Sequence, residues 1–261
     1  MDIQNGTLIR LGRHTLLCGD STNPNDVARL LGDNRMHLVL TDPPYGIGYV
    51  ESKEGFTQSI AKAKVIENDH LQTEDEYNEF TKRWISHIPP YLAEKNSIYI
   101  FNTDKMLFPL RAGMESAGMK FAQMLIWAKT HAVMARMDYL PQHELIAYGW
   151  YGKHEFVGAK DKSILVHPKP SKSPHHPTMK PAGLLRRLIL NSSRIGDHVF
   201  DPFGGSGSTL LACEQTGRVC YMIEKDIEYC HTIAMLYEKL TGNTPEIIAP
   251  AYGTAETTTP V

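Results

Sequence analysis

Met36-His-Leu-Val-Leu-Thr-Asp-Pro-Pro-Tyr45 is an apolar run driven straight into two prolines. A short continuous apolar run bounded by breakers reads as a strand buried on both faces. Proline has no amide N–H and a fixed φ, so neither strand nor helix continues through Pro43 and Pro44. Asp42, Pro43, Pro44 and Tyr45 therefore occupy a loop at the carboxyl end of a buried strand.

Two further junctions have the same form. Thr15-Leu-Leu-Cys18 stops at Gly19-Asp20, and His198-Val-Phe-Asp201 opens onto Pro202-Phe-Gly-Gly-Ser-Gly-Ser-Thr209, with a helix to Gln215 closed by Gly217. Between them strands and helices alternate. A helix is expected over Asn25–Leu31. Thr73-Glu-Asp-Glu76 is a capping box ahead of Tyr77, Phe80, Trp84, Ile85 and Ile88 at helical spacing. Ser97–Asn102 reads as a strand, Leu107–Ala117 as a helix, Met124–Ala128 and Glu144–Tyr148 as strands, and Pro181–Leu190 as a helix. Val219–Ile223 is a strand ending in Glu224, followed by a last helix to about Thr241. This alternation predicts an α/β fold with a doubly wound, mostly parallel sheet. In such sheets ligands bind beyond the carboxyl ends of the strands.

The expected organisation is one domain over residues 1–242. Within it, residues 46–70 form a long polar loop, residues 149–177 an insertion with little core, and residues 243–261 a disordered Thr/Pro/Ala-rich tail. With 42% hydrophobic and 21% charged residues, the 261-residue composition is that of a soluble globular protein. The start is polar, no apolar run reaches the ~18 residues of a membrane span, and Cys18, Cys213, Cys220 and Cys230 form no CxxC pair. A cytoplasmic protein with reduced, half-buried thiols is expected. A net charge of −2 advertises no polyanion partner. One stretch departs from that balance: Lys153, Lys160, Lys162, Lys169, Lys172 and Lys180 face only Glu155 and Asp161.

The glycine loop lets backbone N–H groups approach a ligand closely. It is not a phosphate-binding Walker loop, because no lysine precedes Ser208 or Thr209, and it lacks the third glycine of a dinucleotide fingerprint. Glu224, ending the next strand, is placed to hold ribose hydroxyls. The pair implies a nucleoside cofactor without a pyrophosphate. At the tetrapeptide, the chemistry concerns an exocyclic amine, a poor nucleophile because its lone pair is delocalised into the base. Asp42 and a carbonyl held rigid by the prolines both accept the amine hydrogens and aim the lone pair at a methyl donor. Tyr45 offers a stacking face to a base swung out of a duplex. The bland alternative is a proline turn with a capping aspartate.

The chain resembles the amino-methyltransferases of DNA from about Thr15 to Thr241. Asp42-Pro-Pro-Tyr45 is similar to their catalytic motif, Asp201-Pro-Phe-Gly-Gly-Ser-Gly-Ser208 to their S-adenosylmethionine loop, and His176-Pro-Thr-Met-Lys-Pro181 to a third motif beside the cofactor's methionine end. The catalytic motif comes first and the cofactor loop last, as in the β group, a circular rearrangement of the S-adenosylmethionine-dependent methyltransferase fold. The resemblance implies N6-adenine methylation in double-stranded DNA with the target base flipped, and N4-cytosine methylation as the alternative. Aspartate rather than serine at position 42 leans towards adenine. It also implies cofactor contacts at Asp20 (the adenine amine), Asp201, Phe203, Gly204, Gly205, Gly207, Ser208, Thr209, Glu224 (the ribose), and Thr178 with Lys180 (the methionine carboxylate). No metal is implied, and a homodimer is common among relatives.

Two departures shape the expectation. Met179 stands where many relatives carry glutamine, and the stretch between Gly149 and Pro177, where relatives carry target recognition, is short. Reading several bases needs several side chains in the major groove. Recognition is therefore expected to be short or relaxed, as in some phage adenine methyltransferases, with lysine–phosphate contacts giving affinity without sequence information. The 46–70 loop, with Lys53, Lys62 and Lys64, is expected to fold over DNA. His167, His175 and His176 lack zinc-type cysteine spacing. Trp84, Trp127 and Trp150 read as core aromatics, while Arg136 and His143-Glu144 at a strand mouth read equally as DNA-facing or structural. A cofactor-binding protein without catalysis, or an enzyme acting on RNA or protein amides, is the rival class; amide-methylating enzymes carry a similar Pro-Pro-Tyr motif, usually with asparagine first and the glycine loop upstream.

Overall fold

The run at residues 36–41 is the middle of the sheet, and its alternation explains why it is apolar throughout. In the computed structural model, which describes residues 1–46, 71–132, 138–168 and 180–252, the strands are β1 (Leu8–Leu11), β2 (His14–Cys18), β3 (Met36–Thr41), β4 (Leu92–Asn102), β5 (Met119–Ala128), β6 (His143–Tyr151), β7 (Lys153–His154), β8 (Ile164–Val166), β9 (His198–Asp201), β10 (Val219–Glu224) and β11 (Glu246–Ala249). The helices are α1 (Pro24–Leu31), α2 (Glu74–Ile85), α3 (Leu107–Ser116), α4 (Ala182–Ser192), α5 (Ser208–Thr216) and α6 (Ile227–Thr241). Leu38 and Leu40 of β3 point into one core, with Leu184, Leu188, Leu210 and Ile233 of α4, α5 and α6. Val39 points into the other, with Leu31, Tyr77, Trp84 and Leu110 of α1, α2 and α3. A strand covered on both faces by helices has no solvent side to mark with polar residues.

The strand order is β11-β1-β2-β10-β9-β3-β4-β6-β5-β8, with β7 pairing β4. The five strands β2, β10, β9, β3 and β4 run parallel. On the far side β6 is antiparallel to β4 and to β5. From β9 the chain crosses to β10 on one side, and from β3 it crosses to β4 on the other. The winding thus reverses between β9 and β3, the position where open α/β sheets bind ligands. Both loops of interest leave from that crevice. Because β3 precedes β9 in the chain, the tetrapeptide half comes first, as the circular arrangement requires.

Local signals held where they carry their own mechanism. Thr73 accepts from the Glu76 amide and Glu76 reaches back to the Thr73 backbone, closing the capping box of α2. Asp226 caps α6 by accepting from Glu228 and Tyr229. Gly149 sits where a side chain would collide with the Lys120 carbonyl oxygen, at the register shift of β5 between Phe121 and Gln123.

Three expectations are corrected. The tail is not wholly disordered: Glu246–Ala249 pairs with β1, a strand the polar N-terminus hid, through Ile9↔Ile247; residues 253–261 lie outside the described residues. The 149–177 insertion does contribute to the core, because β6 extends to Tyr151 and β8 adds an edge strand beside β5 that buries Leu165. The four cysteines are fully buried free thiols, not half-buried ones. Among the described residues no helix is long and apolar enough to cross a membrane.

Candidate active site

The glycine loop is fastened to the neighbouring strand ends by its own backbone. Gly204 donates its N–H to the Ile223 carbonyl at 2.8 Å, and Gly205 donates to Glu224 Oε2 at 2.7 Å. Gly205 and Gly207 have φ of +51° and +79°, in the left-handed region. A Cβ on Gly207 would also lie 3.2 Å from Ile233 and Leu236, so two constraints demand glycine there. Glu224 accepts a second amide, from Asp226 at 2.8 Å. Burial nevertheless pushes its carboxyl up to about 7 against those bonds.

Asp201 joins the two halves of the crevice. Its Oδ1 accepts from Thr41 Oγ1 at 2.8 Å, from the end of β3, and from the Phe203 amide at 3.1 Å. The side chain is buried, and burial outweighs these bonds and one from Thr209 to lift the carboxyl to about 7. An unfolded aspartate titrates near 3.9, so Asp201 contributes stability fully below about pH 4 and loses it as pH rises through about 7. Asp201→Asn keeps an oxygen for Thr41 and Phe203 without the ionisation. Urea unfolding is expected to show the variant gaining on the wild type from about pH 5 to about pH 8. A difference independent of pH would mean that Asp201 is ionised throughout.

Beside this, the end of β2 closes onto β10 through Gly19 N–H donating to the Glu224 carbonyl at 2.9 Å. Asp20 accepts from the Thr22 amide at 2.8 Å and hydroxyl at 2.7 Å, and pairs with Lys225 at 3.2 Å. Burial opposes its ionisation, but these partners hold its carboxyl below the ordinary range. Ser21 donates to the Pro202 carbonyl. Phe203 packs edge-on against Trp84 at 5.3 Å and against Phe80 at 5.9 Å.

Across the crevice, Asp42 anchors a cluster of charges. Lys180 Nζ lies 2.7 Å from Asp42 Oδ2 and 3.0 Å from Glu144 Oε2. Tyr45 donates to Asp42 Oδ1 at 2.6 Å; its hydroxyl lies 3.3 Å from Glu144 Oε2 and accepts from Lys180 at 3.1 Å. Lys129 Nζ closes the group on Glu144 Oε1 at 2.7 Å. The Asp42 side chain keeps 30% exposure, whereas those of Lys180 and Lys129 keep 10% and 7%. Burial and the Glu144 charge raise the Asp42 carboxyl despite Lys180. Burial opposes Glu144 too, but two ammonium groups hold it down at about 2. Burial would lower Lys180; Asp42 and Glu144 override it and raise it.

The sequence-derived residues thus gather at two adjoining places. Asp20, Asp201, Phe203, Gly204, Gly205, Gly207, Ser208, Thr209 and Glu224 surround the ends of β2, β10 and β9, and Asp42–Tyr45 lies at the end of β3. Thr178, His175, His176, Arg136 and the loop lysines Lys53, Lys62 and Lys64 lie outside the described residues. Lys180, expected at a methionine carboxylate, has its ammonium 2.7 Å from Asp42 and 3.0 Å from Glu144. Of the lysine-rich stretch, Lys169 and Lys172 lie outside the described residues, and the described lysines do not all share one face. Lys153 pairs with Glu94 at the amino end of β4, the sheet end remote from Asp42, and Lys180 is buried. Glu144 was expected at a strand mouth, DNA-facing or structural, and the fold brings it into the Asp42 cluster; Lys129 was missed. The available signal was charge beside apolar strand residues, Glu144 preceding Leu-Ile-Ala and Lys129 following Trp127-Ala128.

The DNA methylase family profile matches residues 36–235. Among curated proteins, the chain is 25% identical to the type II methyltransferase M2.MboI of Moraxella bovis, over 80% of this chain and 83% of that one. It is 28% identical to the type II methyltransferase M.HpaI of Haemophilus parainfluenzae, over 86% and 73%. Among solved structures, the fold matches the cytosine-N4-specific PvuII DNA methyltransferase with a TM-score of 0.68 at 16% identity, covering 88% of this chain and 90% of that one. It matches the M1.HpyAVI–SAM complex with a TM-score of 0.62 at 21% identity, covering 85% and 98%. The profile spans both the tetrapeptide and the glycine loop, and the crevice holds both at its switch point. This chain belongs to the DNA methylase family whose members modify N6 of adenine or N4 of cytosine.

Proposed function

We propose that this chain transfers the methyl group of S-adenosylmethionine to N6 of adenine in DNA. The observation that carries the reading is the junction of the two loops at one crevice, where Thr41, next to Asp42, donates to Asp201 at the root of the glycine loop. The residues present fit the cofactor. Gly204, Gly205 and Gly207 leave room for close approach, and Glu224, fixed by two amides, presents a carboxylate for a ribose diol. Asp20 stands at the adjacent strand end for an adenine amine, and Phe203 offers an aromatic surface backed by Trp84. When bound, S-adenosylmethionine supplies an electrophilic methyl group on a sulfonium.

The protein's own work is positioning and charge. Asp42 and the Pro43 carbonyl accept the two amine hydrogens, which localises the nitrogen lone pair and directs it outward. Tyr45 offers its ring to the flipped base. Among the described residues the buried cysteines leave no thiol at the tetrapeptide, which fits direct transfer without a covalent enzyme intermediate. Aspartate at position 42 supports adenine; the likeness to a cytosine-N4-specific fold keeps N4 of cytosine as the second reading. A short recognition region supports short or relaxed sequence specificity.

Purified protein incubated with unmethylated DNA and methyl-labelled S-adenosylmethionine is expected to yield N6-methyladenine in the digested nucleosides. Labelled N4-methylcytosine would change the base and keep the chemistry. Label in RNA or protein with none in DNA would overturn the reading.

A further inference from the structure

The functional reading makes Asp42 the acceptor for the target amine, yet each of its oxygens already holds a buried donor that draws on its charge. Tyr45 donates to Oδ1 and Lys180 to Oδ2. Neither donor can simply be released: a buried ammonium left without an anion is strongly unfavourable, and a buried hydroxyl without an acceptor costs its full desolvation. Glu144 enters from β6 and stands beside both donors. Its Oε2 is 3.0 Å from Lys180 Nζ and 3.3 Å from Tyr45 Oη, while Lys129 holds Oε1 at 2.7 Å.

We propose that Glu144 is a positioning residue that takes over Lys180 and Tyr45 from Asp42 when the target amine arrives, so that the Asp42 carboxylate turns its full accepting strength to the amine hydrogen it receives. The inference rests on the functional reading above and deepens it. Little movement is needed. Tyr45 has one hydroxyl proton, and a rotation about its C–O bond redirects it from Asp42 to Glu144. The Lys180 ammonium has three donors and already contacts both carboxylates. Lys129 supplies the reason Glu144 stays in place: it orients one oxygen and leaves the other facing the exchange. The cluster holds two cations and two carboxylates, so the exchange changes no net charge.

Other titratable groups face the exchange. Asp201 approaches Asp42 from β9, and Tyr77 approaches Tyr45 from α2. Together with Lys180, Lys129, Glu144 and Tyr45 they set the pH response of Asp42. Removing the Glu144 charge withdraws an anion that disfavours Asp42 ionisation and leaves Lys180 wholly on Asp42. Removing Lys129 withdraws a cation and does the reverse.

The test is steady-state kinetics on the full chain with DNA and S-adenosylmethionine. Glu144→Gln is expected to lower kcat about ten- to a hundredfold, the loss of one charge-assisted contact in the transition state. The KM for DNA and the Kd for cofactor should stay within a few-fold. The acid limb of kcat/KM should move to lower pH, so the variant is slower but more acid-tolerant. Lys129→Met should move that limb to higher pH, and Glu144→Asp should restore part of kcat. A purely structural role would not give opposite displacements from two partners of one ion pair. An unchanged kcat in Glu144→Gln, or an acid limb moving upward, overturns the proposal.

The same displacements should appear without turnover, in a carbon-13 carboxyl NMR titration of Asp42 in the free protein. If Glu144→Gln does not fold, Lys129→Met and that titration decide. If the wild type transfers no methyl group to DNA, the functional reading falls, and the titration still reports whether Glu144 and Lys129 act on Asp42 in opposite senses.

Discussion

Replacing Asp42 with alanine is expected to lower methyl transfer by about 10³-fold, the scale of losing a preorganised charged contact to the reacting group. The affinity for S-adenosylmethionine should stay within a few-fold. The separation follows from where the groups lie. Asp42 is at the end of β3 and touches Lys180 and Tyr45, whereas the glycine loop and Glu224 are held by the ends of β9 and β10. The side-chain link from Thr41 to Asp201 involves the residue before Asp42, the pairing of β3 with β9 involves the backbone, and both survive the substitution. Stability should not collapse either, because Lys180 retains Glu144 as an anion 3.0 Å away. Cofactor binding by calorimetry and label transfer to DNA are the two measurements. Equal losses in both would mean that Asp42 holds the cofactor pocket together and that the catalytic assignment is wrong. Full activity in the variant would do the same.

Much of this was readable from the chain because it lies in local rules. The apolar run of β3 and the two prolines after it need no tertiary information, and neither does the Thr73–Glu76 capping box. The glycine loop's position after β9 follows from strand-and-turn chemistry alone. What was hidden depends on partners distant in sequence. Glu246–Ala249 is short and unremarkable; it becomes a strand because it pairs at the sheet edge with Leu8–Leu11, which itself pairs with β2. Glu144 could be set at a strand mouth but given no partner, because β6 brings it to Lys180 from another part of the chain, and an acid in a strand has no local meaning until its cation is found. Lys180 shows the same limit from the other side. Its motif marked it as part of the site, but only the fold shows two carboxylates within 3.0 Å of its ammonium.

Lys180→Met is expected to destabilise the fold by about 3 kcal/mol near neutral pH, the lower end of the cost of breaking a buried ion pair, since Asp42 keeps contact with the cleft. Methionine preserves the apolar stem, so the loss reports the ammonium, with its ion pairs and its place 5.2 Å from the Phe101 ring centroid and 5.4 Å from that of Tyr45. What is left is Asp42 facing Glu144, with Lys129 bound to the latter alone. The Asp42 carboxyl, already raised in the intact site, must rise further. A carboxyl raised on folding contributes stability below its unfolded pKa and loses it as pH rises through its folded one. The variant should therefore be least compromised at about pH 5 and most compromised at about pH 8. In the wild type the Glu144 contribution behaves oppositely, present above about 4.5 and lost as pH falls towards about 2. Adding Glu144→Gln and Lys129→Met together to Lys180→Met should return part of the stability at pH 8, because it removes one of two facing anions along with the buried cation that this anion pairs. Urea unfolding of the single and triple variants at the two pH values checks this. A loss equal at both pH values, or a triple variant weaker than the single one at pH 8, would mean that Lys180 acts through packing and that the charge balance of the cluster does not set its stability.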